Sequence, residues 1–557
     1  MTDRPANDRP ATCRSGRRTK VAGERAVLVE LPDLEAALGL QRRLAALQRS
    51  QGAITGIGEV VPAARTVLVH FDPALLSRAA LVEHLDAVSA APLGDDDAGQ
   101  DQRLLEIPVV YEGEDLAEVA GLLGMSTTEL VRRHTSAEYT MAFVGFAPGF
   151  GYLVGDDPLL DVPRRASPRV RIPAGSVGLA GRFSGVYPRD SPGGWQLIGT
   201  TTLSMWDVDR DPPAALRPGH RVRFVVTRGR VEVAPTAAGQ RPAEPTRGPA
   251  LIVERPGART LLQDGGRDDG AALGVSVSGA LDMPAMRLAN RLVGNPGDTG
   301  VLEILFGRFR AVARGSVVVA ASGAPVPITV TRADERGTVE ITDCRPIALQ
   351  DGDLLTLGGP ISGARTMLAV RGGFDVAPVL GSLSRDTLAG LGPAPIARGD
   401  VLAVRSTDAR RSGPATEPVD WQQFPRDEVT VPIDLGPRDD WFDDASIARL
   451  LGAPWTVTTN ADRVGIRLAG AHPLTGICAD ELPSEGVVTG SIQVPPDGQP
   501  ILFLADHPLT GGYPVIGVVR RDALAALAQV IPAMTIRFSL AGPDRPPLPD
   551  GPVTARP

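Results

Sequence analysis

The sequence predicts a mixed α/β protein that is mostly β and has two barrel-like lobes. Residues 143–199 are rich in Gly and Pro yet carry seven aromatic side chains, a mixture typical of short strands around a packed surface. A reduced version recurs at residues 484–517, and both copies end on Gly-Gly-aromatic-x-x-Ile-Gly. Both also contain an apolar–Pro step, Ile172-Pro173 and Val494-Pro495. The repeat therefore predicts two related lobes in one chain.

Composition narrows the function classes. The 557 residues carry a net charge of −8 and 43% apolar residues, which favours several folded domains and argues against a nucleic-acid partner. The chain has no apolar run near the 18 residues of a membrane span, and its N-terminus lacks the apolar core of a secretory signal. Three widely separated cysteines suggest neither a disulfide framework nor a zinc site. We therefore expect a cytoplasmic protein.

Lysine is almost absent from the chain. Of the 57 lysines and arginines only Lys20 is a lysine, which leaves 56 arginines. Because Lys20 falls in residues 1–20, predicted to be a disordered tail, a Walker A, Schiff-base or biotin-bearing lysine in a folded domain is excluded. Arginine must therefore bind any anion, for which its bidentate geometry suits carboxylates and phosphates.

The first half divides into a small domain and the first lobe. Residues 21–93 predict a βαββα domain, with strands at 25–31, 54–61 and 66–71, a helix after Asp33 and a second helix at 77–88. Residues 104–231 predict the first lobe, with a strand at 105–111, helices at 115–123 and 127–135, and a closing strand within 217–230. An Ala/Pro/Gly-rich linker is predicted at 232–249.

The second half, residues 250–545, is predicted to be β-rich and to contain the second lobe, before a tail at 546–557. Helices are expected at 283–293 and 522–529. The predicted strands are 250–254, 301–306, 316–321, 326–331, 337–341, 366–370, 430–434, 455–458 and 534–540.

The first signature segment offers two kinds of anion-binding group. Arg164, Arg165 and Arg169 lie in a Pro-stiffened run that suits a carboxylate or phosphate clamp; the alternative is a solvated loop paired with nearby aspartates. The loops at Ser176 and at Gly193-Gly194 could present backbone N–H groups to an anion, or could simply be tight turns.

The second half supplies further polar candidates. Asp506 and His507 place a carboxylate beside a titratable ring, which suits acid–base catalysis, and Asp264 is a third catalytic candidate. No G-x-S-x-G, H-E-x-x-H or C-x-x-C motif occurs, so no metal ligands are predicted. The candidate substrate-binding residues of this half are Gln263, Arg267, Ser278, Asp282, Glu485, Gln493 and Thr510.

At this point the motifs resemble a known family. The first half resembles the KipI family, the B-type subunit of 5-oxoprolinase, also called allophanate hydrolase subunit 1. The motifs are F-A-P-G-F-G-Y-L at 146–153, P-R-R-A-S-P-R at 163–169, P-A-G-S-V-G at 173–178 and S-P-G-G-W-Q-L-I-G at 191–199. The second half resembles KipA, the C-type subunit of 5-oxoprolinase. Its motifs include Q-D-G-G-R at 263–267, G-V-S-V-S-G-A-L-D at 274–282, R-L-A-N-R-L-V-G-N at 287–295, D-R-V-G-I-R-L at 462–468 and S-E-G-V-V-T-G-S-I-Q-V-P-P-D-G-Q-P at 484–500. The chain thus resembles a natural B–C fusion.

The resemblance implies cyclophilin-like β-barrels and a specific activity. Such proteins act with a separate A subunit of the LamB/YcsF type in ATP-dependent opening of 5-oxoproline to glutamate. ATP is expected to bring Mg²⁺ with it. Further copies of the chain are the other expected partners. Related domains form the carboxyltransferase part of urea carboxylase, so a urea- or allophanate-type module using a biotin carrier on another chain is one alternative. A non-enzymatic kinase inhibitor is the other. Thr200-Thr201 stands where the family often has Arg-Thr.

Overall fold

The computed structural model describes residues 18–50, 52–90, 104–165, 167, 169–229, 248–334, 337–405, 420–422, 424–478 and 482–542. Most of the predicted N-terminal tail, the predicted linker up to residue 247 and the predicted C-terminal tail lie outside these ranges. Within them the fold is mostly β with a few helices, so the predicted fold class is confirmed.

A four-stranded antiparallel sheet with two helices forms the N-terminal domain, in the order β1-β2-β4-β3. Asp33 caps the first helix by accepting a 2.8 Å hydrogen bond from the Ala36 N–H. Lys20 lies in β1 and pairs with Asp440 of the second half at 2.5 Å, so its predicted place in a disordered tail is wrong. The elements are β1 (Thr19–Val21), β2 (Ala26–Glu30), α1 (Leu34–Arg49), β3 (Ile57–Pro62), β4 (Thr66–Phe71) and α2 (Arg78–Ala90).

The first lobe is a seven-stranded barrel in the order β12-β9-β10-β7-β6-β13-β5. A bridge between Val110 and Thr200 joins its two outermost strands. Its elements are β5 (Leu104–Val109), α3 (Leu116–Leu122), α4 (Thr127–Ser136), β6 (Tyr139–Val144), β7 (Gly151–Gly155), β8 (Arg169–Ile172), β9 (Ser176–Ala180), β10 (Phe183–Val186), β11 (Ser191–Gly193), β12 (Gln196–Thr200) and β13 (Arg221–Val226).

Two antiparallel sheets of six and five strands then pack on one apolar core and form a middle domain. The helix α5 covers the five-stranded sheet and begins at the predicted residue, because Asp282 caps it through the Ala285 N–H at 3.0 Å. The elements are β14 (Ala250–Pro256), β15 (Arg259–Gln263), α5 (Met283–Val293), β16 (Val301–Leu305), β17 (Phe309–Arg314), β18 (Val317–Gly323), β19 (Ile328–Thr331), β20 (Thr338–Ile341), β21 (Ile347–Leu349), β22 (Leu354–Leu357), β23 (Arg365–Val370) and β24 (Val401–Ala403).

The second lobe is a closed barrel in the order β25-β32-β29-β30-β27-β26-β33. Its core is centred on the buried Trp455, whose indole N–H donates to the Leu450 carbonyl at 3.0 Å. Its elements are β25 (Glu428–Leu435), α6 (Asp444–Gly452), β26 (Trp455–Ala461), β27 (Gly465–Ala469), β28 (Glu485–Gly486), β29 (Ser491–Gln493), β30 (Ile501–Phe503), β31 (Thr510–Gly511), β32 (Val515–Val519), α7 (Leu524–Leu527) and β33 (Thr535–Leu540).

The two barrels have the same topology. Each strand from β5 to β13 corresponds to the strand numbered twenty higher, the seven-strand orders match, and a two-stranded ribbon (β8/β11 or β28/β31) flanks each barrel. The Gly-Gly turns follow equivalent ribbon strands, β11 and β31. The two apolar–Pro steps are not equivalent, since Ile172 ends β8 whereas Val494 follows β29. The predicted repeat of the two lobes is confirmed, but the predicted equivalence of the two apolar–Pro steps is wrong.

Two further observations concern the bonding state of the cysteines and the length of the helices. Cys344 is a free, buried thiol, whereas Cys478 is disulfide-bonded, so the sequence-based expectation of no disulfide is wrong for Cys478. Within the described ranges, the helices are too short or too polar to span a lipid bilayer.

The buried His134 makes the first barrel sensitive to acid. Its ring is fully buried, and its nitrogens lie 2.7 Å from the Tyr111 hydroxyl oxygen and 2.9 Å from the Ser184 hydroxyl oxygen. Burial lowers the pKa of His134 from 6.5 to about 3, so the folded protein keeps this ring neutral.

We predict that the unfolding free energy falls as the pH drops from 6.5 towards 3, because in that window the unfolded chain binds a proton at His134 and the folded chain does not. This group contributes up to about 1.4 kcal/mol per pH unit. Urea unfolding of His134→Gln at several pH values should show a shallower slope, while the exposed His472→Gln should keep the wild-type slope. Equal slopes in all three proteins would contradict the assignment.

Candidate functional site

The two signature segments meet in space. The Arg164 Nη1 atom lies 3.4 Å from the position that a Cβ atom would occupy at Gly512, so the arginine run reaches the second Gly-Gly turn. Nearby, the Tyr152 and Ser484 hydroxyl oxygens are 3.2 Å apart. We call this region the interlobe junction. Its first wall is Pro163, Arg164, Arg165, Tyr187, Gly193 and Gly194, and its second wall is Ser484, Gln493, Thr510, Gly511 and Gly512.

The first wall is held by backbone pairing and by one buried carboxylate. The Arg165 N–H donates to the Gly194 carbonyl at 2.9 Å, and the Gln196 side-chain amide donates to the Pro163 carbonyl at 3.3 Å. Asp115 accepts hydrogen bonds from Arg165 and Arg169, both at 2.7 Å. These two arginines therefore anchor the wall, and their shared partner is Asp115 rather than the nearby Asp156, Asp157 or Asp161 of the solvated-loop alternative.

Arg164 is the arginine of the run that is brought to the opposite wall. Its neighbours Pro163 and Arg165 are held by hydrogen bonds to Gln196 and Gly194, beside strand β12. The Arg164 side chain projects across the junction towards Gly512. A guanidinium in this position suits a planar oxyanion such as a carboxylate. Of the three predicted clamp residues, Arg164 keeps the role of candidate ligand.

Tyr187 is a site residue that the sequence did not single out. It is buried among the rings of Phe146, Phe150 and Trp195. The Trp195 backbone N–H lies close enough to its hydroxyl oxygen to act on it, but the hydroxyl proton has no acceptor among the described residues. Burial raises the pKa of its phenol, so the group is a neutral donor at neutral pH. A buried hydroxyl proton without an acceptor is costly, which makes this group a candidate donor to a ligand's carbonyl oxygen. Its only signal in the sequence was membership of the aromatic set.

The second wall is built on the β28/β31 ribbon, in which Glu485 pairs with Gly511 and Thr510 with Gly486. Gln493 donates from its side-chain amide to the Tyr513 carbonyl at 3.0 Å and braces the Gly-Gly turn. Glu485 forms a buried bidentate pair with Arg438. Burial raises the pKa of Glu485 despite that pairing. Gln493, Thr510 and Glu485 thus shape the wall.

The Ser176 loop does not offer the expected anion cradle. Ser176 begins strand β9 and is buried. Its backbone N–H donates to the Pro173 carbonyl at 3.3 Å, and its carbonyl accepts from the Tyr187 N–H at 2.9 Å. This residue therefore positions the Tyr187 backbone and is not a ligand.

Asp506 is not arranged as a general base. Its two carboxylate oxygens accept from the Ser278 hydroxyl at 2.6 Å, from the Thr387 N–H and hydroxyl at 2.8 and 2.7 Å, and from two Arg463 nitrogens at 3.0 Å. Burial opposes its ionisation, yet Arg463 holds its pKa below the ordinary value. It is fully buried and its oxygens are fully hydrogen-bonded, so Asp506 and the Ser278 hydroxyl bound to it are arranged as parts of the scaffold. The catalytic role of Asp506 stays a prediction from the sequence.

His507 and Asp264 are also built into the scaffold. The His507 Nδ1 atom lies 2.8 Å from the Pro508 carbonyl, the ring stacks on Phe503, and burial lowers its pKa. Asp264 accepts from the Ser384 hydroxyl at 2.5 Å, the Ser382 hydroxyl and Leu383 N–H at 2.6 Å, and the Gly266 N–H at 2.9 Å. The Asp264 oxygens are occupied by four donors, and His507 donates from Nδ1 to a carbonyl, which leaves its lone pair on Nε2 in a buried ring. Neither group is placed at the interlobe junction.

The remaining predicted residues of the middle domain hold loops together. Gln263 donates to the Arg385 carbonyl at 2.9 Å, and Asp282 accepts from Gln529 at 2.6 Å in addition to capping α5. Arg267 is buried and donates to the Val379 carbonyl at 3.2 Å and to the Ser384 carbonyl. These contacts do not lie at the interlobe junction. The residues predicted from the sequence therefore fall into two groups: those at the junction, and those that hold the middle-domain loops together.

Fold and site together define a protein class in which two barrels of one topology face each other across paired Gly-Gly turns. The sequence matches two family models, "Carboxyltransferase domain, subdomain C and D" at residues 17–216 and "Carboxyltransferase domain, subdomain A and B" at residues 273–540. The chain belongs to this carboxyltransferase-domain family, as a fusion of its C–D and A–B parts.

Individual relatives match each half separately, and one solved structure matches both. The B-type subunit of 5-oxoprolinase from Escherichia coli O157:H7 is 41% identical over 215 residues, which are 37% of this chain and 95% of that protein. The C-type subunit of 5-oxoprolinase from Escherichia coli strain K12 is 35% identical over 291 residues, which are 52% of this chain and 90% of that protein. The crystal structure of TTHA0988 superposes with a TM-score of 0.79 at 34% identity, covering 92% of this chain and 99% of that one.

We predict that Gly193→Ala destabilises the first wall whereas the adjacent Gly194→Ala does not. A Cβ at Gly193 would overlap the Tyr187 hydroxyl and lie 2.9 Å from the Ile172 Cδ1 atom; at Gly194 the nearest atom would be 3.8 Å away. Chemical denaturation should show a loss of about 1–3 kcal/mol for Gly193→Ala, typical of overpacking, and close to none for Gly194→Ala.

The pairing with Tyr187 provides a rescue test. Adding Tyr187→Phe to Gly193→Ala removes the oxygen atom that a Cβ would meet, so the double variant should recover part of the lost stability. Equal stability losses for the two alanine variants would contradict the proposed geometry of the wall.

Proposed function

We propose that this chain is the fused B–C component of an ATP-dependent 5-oxoprolinase, which opens 5-oxo-L-proline to L-glutamate together with a separate A subunit of the LamB/YcsF type. One observation carries the proposal: relatives of both subunits match along nearly their full lengths, and the matched halves bring their signature turns together at the interlobe junction. The proposal gives each half a wall of one site.

The chemistry of lactam opening fits the groups at the junction. The amide carbon of 5-oxoproline is a poor electrophile until ATP phosphorylates its oxygen and releases ADP. Water then adds to that carbon and the ring C–N bond breaks, with the nitrogen leaving as the protonated amine. A second water hydrolyses the resulting acyl phosphate to glutamate and phosphate. A site for this reaction needs donors that hold the substrate carboxylate and stabilise negative charge on the lactam oxygen. We assign the carboxylate to the Arg164 guanidinium and the lactam oxygen to the Tyr187 hydroxyl, whose raised pKa keeps it a donor.

ATP enters the proposal as a co-substrate and brings Mg²⁺ with it. The described residues include no group of three or more His, Cys, Asp or Glu side chains placed to hold a metal ion. We therefore assign no metal ligands to this chain. The A subunit is needed because both relatives that support the proposal are subunits by name.

A urea- or allophanate-type carboxyltransferase is the second candidate, favoured by the description of the family models. Such a module needs a biotin carrier on another chain, since Lys20 is ion-paired to Asp440 within the N-terminal sheet. In this candidate the same junction would bind urea, a small neutral amide, and Arg164 would have no carboxylate to pair with.

We predict that the chain releases glutamate from 5-oxoproline only when ATP and the A subunit are both present. Enzymatic assay of glutamate, with each component omitted in turn, measures this directly. Absence of glutamate in the complete mixture would contradict the proposal. Carboxylation of urea in the presence of biotin carboxylase and a biotinylated carrier would support the second candidate instead.

The same assay tests the role of Arg164. Arg164→Gln should lower kcat/KM for 5-oxoproline by about a hundredfold, the scale of losing one charge-assisted contact in a site. The matched control is Arg171→Gln, which removes the same charge from an exposed residue of β8 paired with Asp190. Equal activity of the two variants, with unchanged thermal unfolding, would remove Arg164 from the site.

A further inference from the structure

A second cluster of arginines lies away from the interlobe junction, where the first barrel meets a loop of the middle domain. Arg189 follows strand β10 of the first barrel, and Arg385 belongs to the loop between β23 and β24. This loop is docked on the first barrel because Leu391 packs with Trp206, Ala214 and Val275 in one buried cluster. The arginines thus lie at a contact between two domains.

Arg189 is a half-buried cation without a direct hydrogen-bond or salt-bridge partner among the described residues, although the Asp386 carboxylate attracts it at longer range. Its side chain makes neither a hydrogen bond nor a salt bridge with the described residues, and its Nε atom is buried without a partner. Its Nη1 atom lies 3.6 Å from the position of a Cβ at Gly390, so the guanidinium is pressed against the middle-domain loop. Burying an unpaired charge costs several kcal/mol, which a bound anion would recover.

Two further guanidinium groups border the same loop. Arg385 uses Nη1 to donate to the carbonyls of Gly390 and Gly392 at 3.0 and 3.1 Å, which holds its head beside Gly390. Arg267 is 1% exposed, and its Nη1 atom has no partner among the described residues. Its Nη2 lies 3.1 Å from a Cβ position at Gly392. The guanidinium groups of three arginines therefore border the 390–392 turn, and the Arg189 Nε and Arg267 Nη1 atoms have no partner among the described residues.

The nearby carboxylates do not neutralise this cluster. Asp386 is buried and is bound by the Ser276 hydroxyl at 3.0 Å and the Ala389 N–H at 2.7 Å. Asp264 is bound by Ser382, Leu383 and Ser384 of the loop between β23 and β24, and Asp506 is already paired with Arg463. The three guanidinium groups outnumber the carboxylates of Asp386 and Asp264 by one, so the cluster keeps a net positive charge.

We propose that Arg189, Arg267 and Arg385 form a binding site for a phosphate-class oxyanion at the contact between the first barrel and the 385–392 loop. Such an anion accepts several hydrogen bonds at once and matches the fork geometry of guanidinium groups. The anion is either free phosphate or the phosphoryl group of a nucleotide, which share this chemistry. The site does not depend on the proposed function, since it involves no residue of the interlobe junction.

Isothermal titration of the full chain with inorganic phosphate at constant ionic strength tests the proposal. We expect saturable binding to wild type, and at least about tenfold weaker binding to Arg189→Gln and Arg385→Gln, since each removes charge-assisted hydrogen bonds. Arg182→Gln removes the same charge from an exposed position of the same barrel and should bind as wild type. No binding by wild type, or equal binding by all variants, would overturn the proposal.

Two additional measurements identify the source of the anion and distinguish anion binding from a purely structural role of Arg189. Competition by ATP or ADP at concentrations below the phosphate dissociation constant would support a nucleotide phosphoryl group, and its absence would support free phosphate. In phosphate-free buffer, Arg189→Gln should unfold at the wild-type temperature or above, because it removes an unpaired buried charge. A lower unfolding temperature in that buffer would give Arg189 a structural role and contradict the site.

Discussion

The second half of the molecule depends on one buried guanidinium group, that of Arg463. It is completely buried and donates to Asp506 through two nitrogens at 3.0 Å, to Glu303 at 2.7 Å and to the Gly279 carbonyl at 2.5 Å. Arg463 and Asp506 belong to the second barrel, whereas Glu303 and Gly279 belong to the middle domain. Removing any one partner would strand a buried charge at a cost of about 3–5 kcal/mol, so these two domains have one fixed relative position.

That fixed position determines where the second wall of the junction lies. Asp506 stands four residues before Thr510, and the ribbon of Thr510–Gly511 with Glu485–Gly486 carries the second Gly-Gly turn. The N-terminal sheet adds a further restraint, because the Ala64 N–H donates to the Ser484 carbonyl at 3.2 Å. The duplicated barrel supplies the matching turn on the first wall. The two Gly-Gly turns, which are equivalent in the repeated topology, thereby form the two opposite walls of the interlobe junction.

Sequence patterns predicted the features that neighbouring residues in the chain determine, such as helix caps, strands and turns. The helix α5 and its Asp282 cap, the strand β4 and the equivalence of the two Gly-Gly turns all follow from short-range signals. The roles of Asp506 and Asp264 did not, because their partners lie as far as 228 and 120 residues away in the chain and only folding shows that their lone pairs are used. Tyr187 was missed for the converse reason: only the structure shows a buried hydroxyl whose proton has no acceptor among the described residues.

We propose that the substrate binds between the two Gly-Gly turns. A crystal structure of the chain with the proposed A subunit and 5-oxo-L-proline would locate the ligand. We expect ligand density beside Arg164, the Tyr187 hydroxyl and the Gly511-Gly512 turn, with the ligand carboxylate at the Arg164 guanidinium. Ligand density confined to the A subunit, or to the scaffold around Asp264 and Asp506, would contradict it.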